Sequence, residues 1–502
     1  MDPFEKSRNR AYKVIFGWWA LFAALLAVVT YSHEMYLDEV QPWLWVRYEH
    51  NLLTSIQHLH YEAHPALWTI LLFLLSRVSS NVLLMQWANY VLAIACAMLI
   101  LTARRVPLPI RVISVFGSSF FFIAGVLARN YMLPALLLIG AARCLLAEPK
   151  RLWVGMLLLA LSINSHFLAI PVAASIFLWL YWFEPEMTRS SAVTKLRDRK
   201  FWGCCALLFV SLLACYFTVR PASDIQTTED LPGATLFEYF VLGVGRIWHY
   251  FVPVSVDASS AIKNGGLTVV AYIDLLITLV LFAAALMVLP SRRSRYFMAT
   301  ASLLFESAAL FTVRRPLETH STLLIVSYLV ALLARRSEDG LGSWIPEYAA
   351  QPVLITILST QVLICSQFAL KEETGPFSAG KPVAEWIERQ GLADHPIVSQ
   401  PEIAAPAVMA YTGAPTVYFP GCQCNRPYVL YRRGWDSTRS ITTSELKALK
   451  AATGLAPVVL SSWTLSDSDQ KAMGLRFGFK SPTGWAFDNE NVSVYVADAT
   501  VQ

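Results

Sequence analysis

The stretch VIFGWWALFAALLAVVTYSHEMYLDEVQPW (residues 14–43) runs from an apolar segment directly into an acidic pair, Asp38 and Glu39. The apolar part, 14–31, is long enough to form a first membrane-spanning helix. Large residues follow it where a signal peptide would have a small-residue cleavage site, so we expect a retained span. Basic residues precede it and favour a cytoplasmic N-terminus: Lys6, Arg8, Arg10 and Lys13.

The composition is that of a polytopic membrane protein. Of 502 residues, 56% are hydrophobic and 15% are charged, whereas ordinary soluble domains carry about 25% charged residues. The mean hydropathy is +0.48. The formal net charge of +5 comes from basic residues in short loops between apolar segments. It is therefore an orientation signal, and no nucleic-acid partner is expected.

The apolar segment 65–79 decides the orientation of the chain. As a helix it would reach about 22 Å, which is short of the roughly 30 Å hydrocarbon core. If it lies at the interface instead, the basic loop 103–111 falls on the cytoplasmic side, as the positive-inside rule prefers. The predicted fold is an α-helical polytopic membrane protein with eleven transmembrane helices: 14–31, 82–102, 109–128, 130–147, 151–165, 166–183, 201–219, 267–289, 296–313, 320–335 and 347–369.

Three regions are expected outside the membrane: the first loop 32–81, a second large loop 220–266, and a tail from about 370. The chain is thus predicted to divide into a transmembrane domain, 1–369, and an extracytoplasmic α/β domain, 370–502. The tail is predicted to contain helices at 382–390 and 444–452, with strands at 396–399, 415–419, 457–462 and 492–499.

Six of the eight cysteines lie in apolar stretches, where a cysteine behaves as a small hydrophobe. Cys422 and Cys424 form a Cys-x-Cys in the polar tail. A disulfide between residues so close is expected to be strained, and no matching second pair suggests a zinc cluster. No function is assigned to either cysteine.

The first outer loop is predicted to contain two interfacial helices. Residues 40–57 place an apolar stripe opposite a polar face, as in an amphipathic helix lying on the membrane surface. Pro65 begins the second helix. Asp38 and Glu39 then lie at the mouth of the first span, where a charge is costly unless it is used or paired. The structural alternative is that Asp38 caps the helix or pairs with a base.

The sequence HLHYEAHPALW (58–68) brings further polar side chains into the same loop: His58, His60, Glu62 and His64. Their spacing raises the alternative of a zinc site. The other interpretation is that these side chains bind substrate or serve structure. Both alternatives stay open from the sequence.

Together these features resemble the GT-C glycosyltransferases, membrane enzymes that take a sugar from a polyprenyl-phosphate carrier. The most similar branch is that of the bacterial relatives of protein O-mannosyltransferases and the lipid A aminoarabinose transferase. YLDEVQPW (36–43) corresponds to the Asp-Glu motif of the first outer loop, and YEAHPALWTILLFLL (61–75) resembles the HPPL segment. ARNYMLPALLL (128–138) and NSHFLAI (164–170) resemble two later elements. Gln41 and Ala66 depart from the branch, which often has arginine and proline there.

The resemblance implies roles for the candidate residues. Asp38 would activate the acceptor as a base or through a metal, with Glu39 as its orienter or a metal ligand. A leaving phosphate needs positive charge, for which the outer-face candidates are Arg129, Arg314, Arg315 and His320. Substrate contacts are assigned to His58, His60, Glu62, His64 and Tyr131. A divalent metal is left open, with Asp38, Glu39 and His64 as its candidate ligands.

The expected function is therefore sugar transfer from a polyprenyl-phosphate donor at the outer face of the cytoplasmic membrane. The acceptor is a lipid, a glycan or a protein, and the family implies a monomer. A lipid or oligosaccharide transporter or flippase is the main alternative, although such proteins often show paired repeats and none is found here. An envelope assembly protein that uses its tail as a binding module is a second alternative.

Overall fold

The computed structural model describes most of the chain, and the structural statements below concern the described residues. These are 3–62, 64–183, 189–225, 235, 237–238, 241, 244, 262–263, 266–312, 322–334, 347–412, 416–430, 432–436, 438–486 and 491–497.

Most of the described residues up to position 374 are helical. In order the helices are α1 Pro3–Ser32, α2 Leu37–Tyr48, α3 Leu52–His58, α4 Ala66–Val78, α5 Leu83–Leu101, α6 Leu108–Phe116, α7 Met132–Leu145, α8 Leu152–Ile163, α9 Ala169–Ile176, α10 Arg189–Arg197, α11 Arg199–Val219, α12 Val269–Val288, α13 Arg292–Thr312, α14 Thr322–Leu333 and α15 Glu347–Thr374. Short 3₁₀ or π-helical turns extend three of them: Leu59–Tyr61, Ser119–Val126 and Phe177–Trp182.

Within the described residues, five helices are long and apolar enough to cross a membrane, as in a multi-pass membrane protein. They are Asn9–Ser32, Leu83–Leu101, Arg199–Val219, Val269–Val288 and Gln351–Thr374. The pair Leu108–Phe116 and Ser119–Val126, bent by 43°, makes a sixth if it forms one span. Helices α7, α8, α9 and α14 are apolar but shorter. The count of eleven spans stays a prediction.

The first outer loop differs from the single amphipathic helix predicted at 40–57. The chain breaks after α2, and the side chain of Asn51 starts α3 by accepting a hydrogen bond from the backbone N–H of Leu53 at 2.9 Å. Helix α2 also has no solvent-facing polar side along most of its length, because residues 39–46 are all buried. The second predicted helix is confirmed as a helix, with α4 beginning directly after Pro65, and its interfacial position stays a prediction.

The tail is an α/β unit with helices α16 Gly380–Arg389, α17 Ala405–Tyr411, α18 Thr443–Thr453 and α19 Asp467–Met473. Strands β1 Ile262–Lys263 and β2 Gly266–Leu267 form a separate pair. The tail sheet contains β3 Ile397–Gln400, β4 Val417–Phe419, β5 Cys424–Arg426, β6 Val458–Ser461, β7 Leu475–Lys480 and β8 Ser493–Ala497. Its order is β5-β4-β3-β6-β8-β7, with β3 parallel to both β4 and β6.

Four predicted tail strands and both predicted helices are confirmed, whereas β5, β7, α17 and α19 were not predicted. Cys422 and Cys424, to which the sequence analysis assigns no function, are joined by a disulfide. Gln423 between them has a φ of 53°, and this sharp turn brings the two Cα atoms to 5.3 Å, within the usual range for a disulfide.

The tail packs against residues 32–81, the segment predicted to form the first outer loop. Trp43 and Trp45 of α2 share one buried apolar cluster with Val408 and Met409 of α17 and Phe419 of β4. Both tryptophans are 0% exposed, so this contact removes a large apolar area from water. The tail thereby covers the helix that carries the acidic pair.

Candidate functional site

A recess of about 330 Å³, counting its opening to solvent, lies between α2, the turn before α4 and the chain leading into α7. The lining mixes charged, amide and aromatic side chains, and consists of Asp38, Pro42, Trp45, Leu59, Glu62, His64, Pro65, Trp68, Thr69, Arg129 and Asn130. Asp38, Glu62, His64 and Arg129 were predicted site residues.

Asp38 and Arg129 form an ion pair in this recess. Asp38 Oδ2 lies 3.2 Å from Arg129 Nη1, with the Asp38 side chain 43% exposed and the Arg129 side chain 9% exposed. The same Nη1 donates to the hydroxyl of Tyr36 at 2.8 Å. Burial alone would lower the pKa of Arg129, but Tyr131, Tyr36 and Asp38 outweigh it and raise the pKa. The guanidinium is therefore a fixed cation beside an accessible carboxylate.

Glu62 and His64 also line the recess, and their pKa values are shifted toward the uncharged forms of both side chains. Burial raises the pKa of Glu62 to about 7, against a hydrogen bond donated by the side chain of Gln41. Burial and the nearby Arg129 lower the pKa of His64 to about 3. Near neutral pH, His64 is an uncharged imidazole and Glu62 exchanges its proton readily.

Glu39 is turned away from the recess. It is 1% exposed, and its Oε1 lies 2.9 Å from His33 Nε2. Its Oε2 accepts from the backbone N–H of Ala128 at 2.5 Å. Glu39 is thus bound to protein groups, and the three candidate metal ligands, Asp38, Glu39 and His64, do not form a group placed to hold a metal ion.

The described residues do not form a metal-binding cluster. Among them, no group of three or more His, Cys, Asp or Glu side chains is placed to hold a metal ion. The alternative of a zinc site at 58–64 therefore has no counterpart there, and no step of the chemistry below uses a metal.

His58 and His60 do not line the recess, and their ring nitrogens contact Glu49, Tyr428 and the backbone of Arg220. His58 Nε2 lies 3.0 Å from Glu49 Oε1 and 3.1 Å from the hydroxyl of Tyr428 in the tail. His60 Nδ1 lies 2.7 Å from the carbonyl oxygen of Arg220. Their assignment as substrate contacts is not supported by this placement, because protein partners occupy the ring nitrogens named here.

Tyr131 is 0% exposed and packs behind Arg129, whose guanidinium lies 5.5 Å from the tyrosine ring centroid. It supports the cation but does not line the recess. Arg314, Arg315 and His320 lie outside the described residues.

Sequence reasoning missed Tyr36, Trp68 and Asn130. Tyr36 holds Arg129, and Trp68 and Asn130 line the recess. A signal was present for each: Tyr36 lies two residues before Asp38, Trp68 follows the His-Pro turn, and Asn130 is next to Arg129. What was lacking was the fold that brings these three short segments together.

No protein-family model, curated protein or solved structure matches the chain.

Proposed function

We propose that the chain is a membrane glycosyltransferase that moves a sugar from a polyprenyl-phosphate donor to an acceptor at the outer face of the cytoplasmic membrane. The observation that carries the proposal is the ion pair of Asp38 and Arg129 in a recess walled by Trp45 and Trp68. A carboxylate that solvent can reach, a buried cation and aromatic walls are what a glycosyl phosphate requires of a site.

In this proposal Asp38 is the general base. It takes the proton from the acceptor hydroxyl as that oxygen attacks the anomeric carbon, and the bond from that carbon to the phosphate oxygen breaks. The electron pair leaves with the phosphate, so no acid is needed to protonate the leaving group. This distinguishes the reaction from the two-carboxylate plan of glycosidases.

Arg129 stabilises the charge that develops on the leaving phosphate. Its guanidinium stays protonated, and five N–H donors in a planar fork suit phosphate oxygens. Tyr36 holds one nitrogen of the guanidinium at 2.8 Å, so the cation is already oriented before a donor binds. Such preorganisation is a large contribution to catalysis in sites of this kind.

The lipid carrier is proposed to lie along the apolar helices beside the recess. Helix α4 begins directly after Pro65, which lines the recess, and continues as an apolar helix through Val78. Its sequence contains five leucines, which suits contact with a prenyl chain. The predicted topology places this side of the chain outside the cytoplasm.

The test is sugar transfer by purified full-length protein in detergent. Radiolabelled polyprenyl-phosphate sugars are offered as a panel of donors, with membrane extract as acceptor. Asp38→Asn keeps the shape of the side chain and removes the base, and we expect a loss of about 10²–10⁴-fold in transfer rate. Asp394→Asn, which changes an exposed aspartate in the tail, is the matched control and should transfer like wild type.

Transfer by Asp38→Asn at the wild-type rate would refute the assigned base. If the wild type transfers no sugar and binds no donor, the glycosyltransferase proposal fails. Movement of a labelled lipid across proteoliposomes by the same preparation would then support the transporter alternative.

A further inference from the structure

A buried histidine lies between two buried carboxylates just after the first span. His33 Nε2 is 2.9 Å from Glu39 Oε1, and His33 Nδ1 is 3.0 Å from Glu372 Oε1. All three side chains have 0% exposure. We call His33, Glu39 and Glu372 the imidazolium clamp. It joins the end of α1, the first turn of α2 and the end of α15.

The geometry favours a charged histidine. A neutral imidazole has one donor nitrogen and one acceptor nitrogen, whereas both nitrogens of the charged form donate. Both nitrogens of His33 face carboxylate oxygens, so the charged form matches. Burial alone would lower the pKa of His33, but Glu39 and Glu372 outweigh it and raise the pKa to about 10.

Aromatic side chains close the clamp to water. The ring of Phe377 lies 4.7 Å from that of His33, and Trp485 packs against Phe377 at 4.9 Å. Phe122 completes the wall at 6.3 Å from His33. Electrostatic attraction is stronger in such a dry environment, and removing one partner of a buried charge set is strongly destabilising.

The clamp acts on both members of the ion pair in the recess through the backbone. Glu39 directly follows Asp38, and its Oε1 accepts from the backbone N–H of Tyr36 at 3.3 Å. Its Oε2 accepts from the backbone N–H of Ala128, which directly precedes Arg129. One carboxylate therefore fixes the chain at both Asp38 and Arg129.

We propose that His33 and Glu372 are positioning residues of the recess: they hold Glu39 in the one orientation that sets Asp38 against Arg129. The catalytic part of this inference rests on the proposed glycosyltransferase function, while its structural part does not. The end of α15, from which the tail extends, is therefore connected to the recess through Glu372, His33 and Glu39.

The expected effect of breaking the clamp follows from geometry. In Glu372→Gln, His33 keeps Glu39 as its only carboxylate partner. The His33 ring is then no longer held from the side of α15, and His33 and Glu39 can shift together. A displacement of about 1 Å between reacting groups costs about 100-fold in rate. We therefore expect kcat to fall about 10- to 100-fold, with KM for the donor within about 2-fold because no group that lines the recess is changed.

The chain offers a matched control in the next residue. Glu373 is an exposed carboxylate that accepts from Ser32 Oγ at 2.9 Å. Glu373→Gln removes the same charge at nearly the same place without touching the clamp. Hydrogen–deuterium exchange of full-length wild type and both variants then tests the structural part, and transfer kinetics test the catalytic part.

We expect the peptides covering 36–48 and 126–132 to exchange faster in Glu372→Gln, with the Ala128 amide at least about 10-fold faster, and to be unchanged in Glu373→Gln. If Glu372→Gln does not fold, Glu372→Asp should give the same pattern at smaller amplitude. Equal exchange in the two glutamine variants would overturn the clamp. Faster exchange with unaltered kcat would overturn its positioning role. Absence of transfer in wild type refutes only the proposed function, because the exchange result is independent of activity.

Discussion

Replacing Glu62 by glutamine should make the protein more stable at alkaline pH and leave it nearly unchanged in acid. Burial raises the pKa of Glu62 from its usual 4.5 to about 7 in the folded protein. The folded state therefore binds this proton more tightly than the unfolded chain does. The stability that this bound proton contributes to the folded state is fully present below pH 4.5 and is lost as the pH rises through 7. The amide of the Glu62→Gln variant carries no such proton, and its carbonyl oxygen still accepts the hydrogen bond from Gln41.

The size of the effect follows from the two pKa values. Each pH unit between them is worth about 1.4 kcal/mol, so the wild type should lose about 2–3 kcal/mol between pH 5 and pH 8.5 on account of this carboxyl. Solvent at the opening of the recess screens part of the penalty. We therefore expect a difference of about 2 kcal/mol in the free energy of unfolding between variant and wild type at pH 8.5, and less than about 1 kcal/mol at pH 5.

The assay is equilibrium unfolding in mixed micelles between pH 5 and 8.5, monitored by tryptophan fluorescence. Groups far from Glu62 titrate equally in both proteins, so the difference between the two reports on Glu62 and the charges next to it. Glu385→Gln, which changes an exposed carboxyl on α16, serves as control and should show a difference independent of pH. A difference between Glu62→Gln and wild type that stays flat to within about 0.5 kcal/mol would refute the argument from burial.

Two further predictions concern the tail. Tyr428→Phe removes the hydroxyl that forms hydrogen bonds with Glu49 and His58, and should lower the free energy of unfolding by about 1–2 kcal/mol. The midpoint of thermal unfolding should fall in this variant. It should not fall in Tyr216→Phe, which changes an exposed tyrosine. Gly421→Ala places a Cβ against the Glu402 carboxylate and the backbone oxygen of Asp436. Since that backbone cannot rotate away, we expect a loss of about 1–3 kcal/mol in the same assay. Gly375→Ala, with open space around its Cβ, should change the free energy of unfolding by less than about 0.5 kcal/mol.

The sequence predicts those parts of the fold whose signals are local. Pro65 marks the start of α4, because proline favours the first positions of a helix. The strands at 397–400 and 458–461 follow from short β-branched runs between turn residues. The long apolar helices follow from length and hydropathy alone. The acidic pair also stands out locally, because carboxylates next to a membrane span are costly.

The parts that were missed depend on contacts between distant residues. The stripe at 40–57 is periodic and predicts an exposed polar face, yet the tail covers α2. Gln41 accepts a hydrogen bond from the backbone N–H of Val429, a residue 388 positions later. No local pattern contains that information. The break at Asn51 had a local signal, since asparagine is a strong N-cap, but the apolar periodicity concealed it.

The structure explains why the two adjacent carboxylates at 38 and 39 differ. Successive residues in a helix point about 100° apart, so one pair can serve two environments. The shorter Asp38 stays in the recess, partly exposed and next to one cation. The longer Glu39 reaches both His33 and the backbone of Ala128, where a buried carboxylate requires several donors to offset its desolvation. The hydrogen bonds that offset the burial of Glu39 thus fix the position of Asp38, a carboxylate that is not buried.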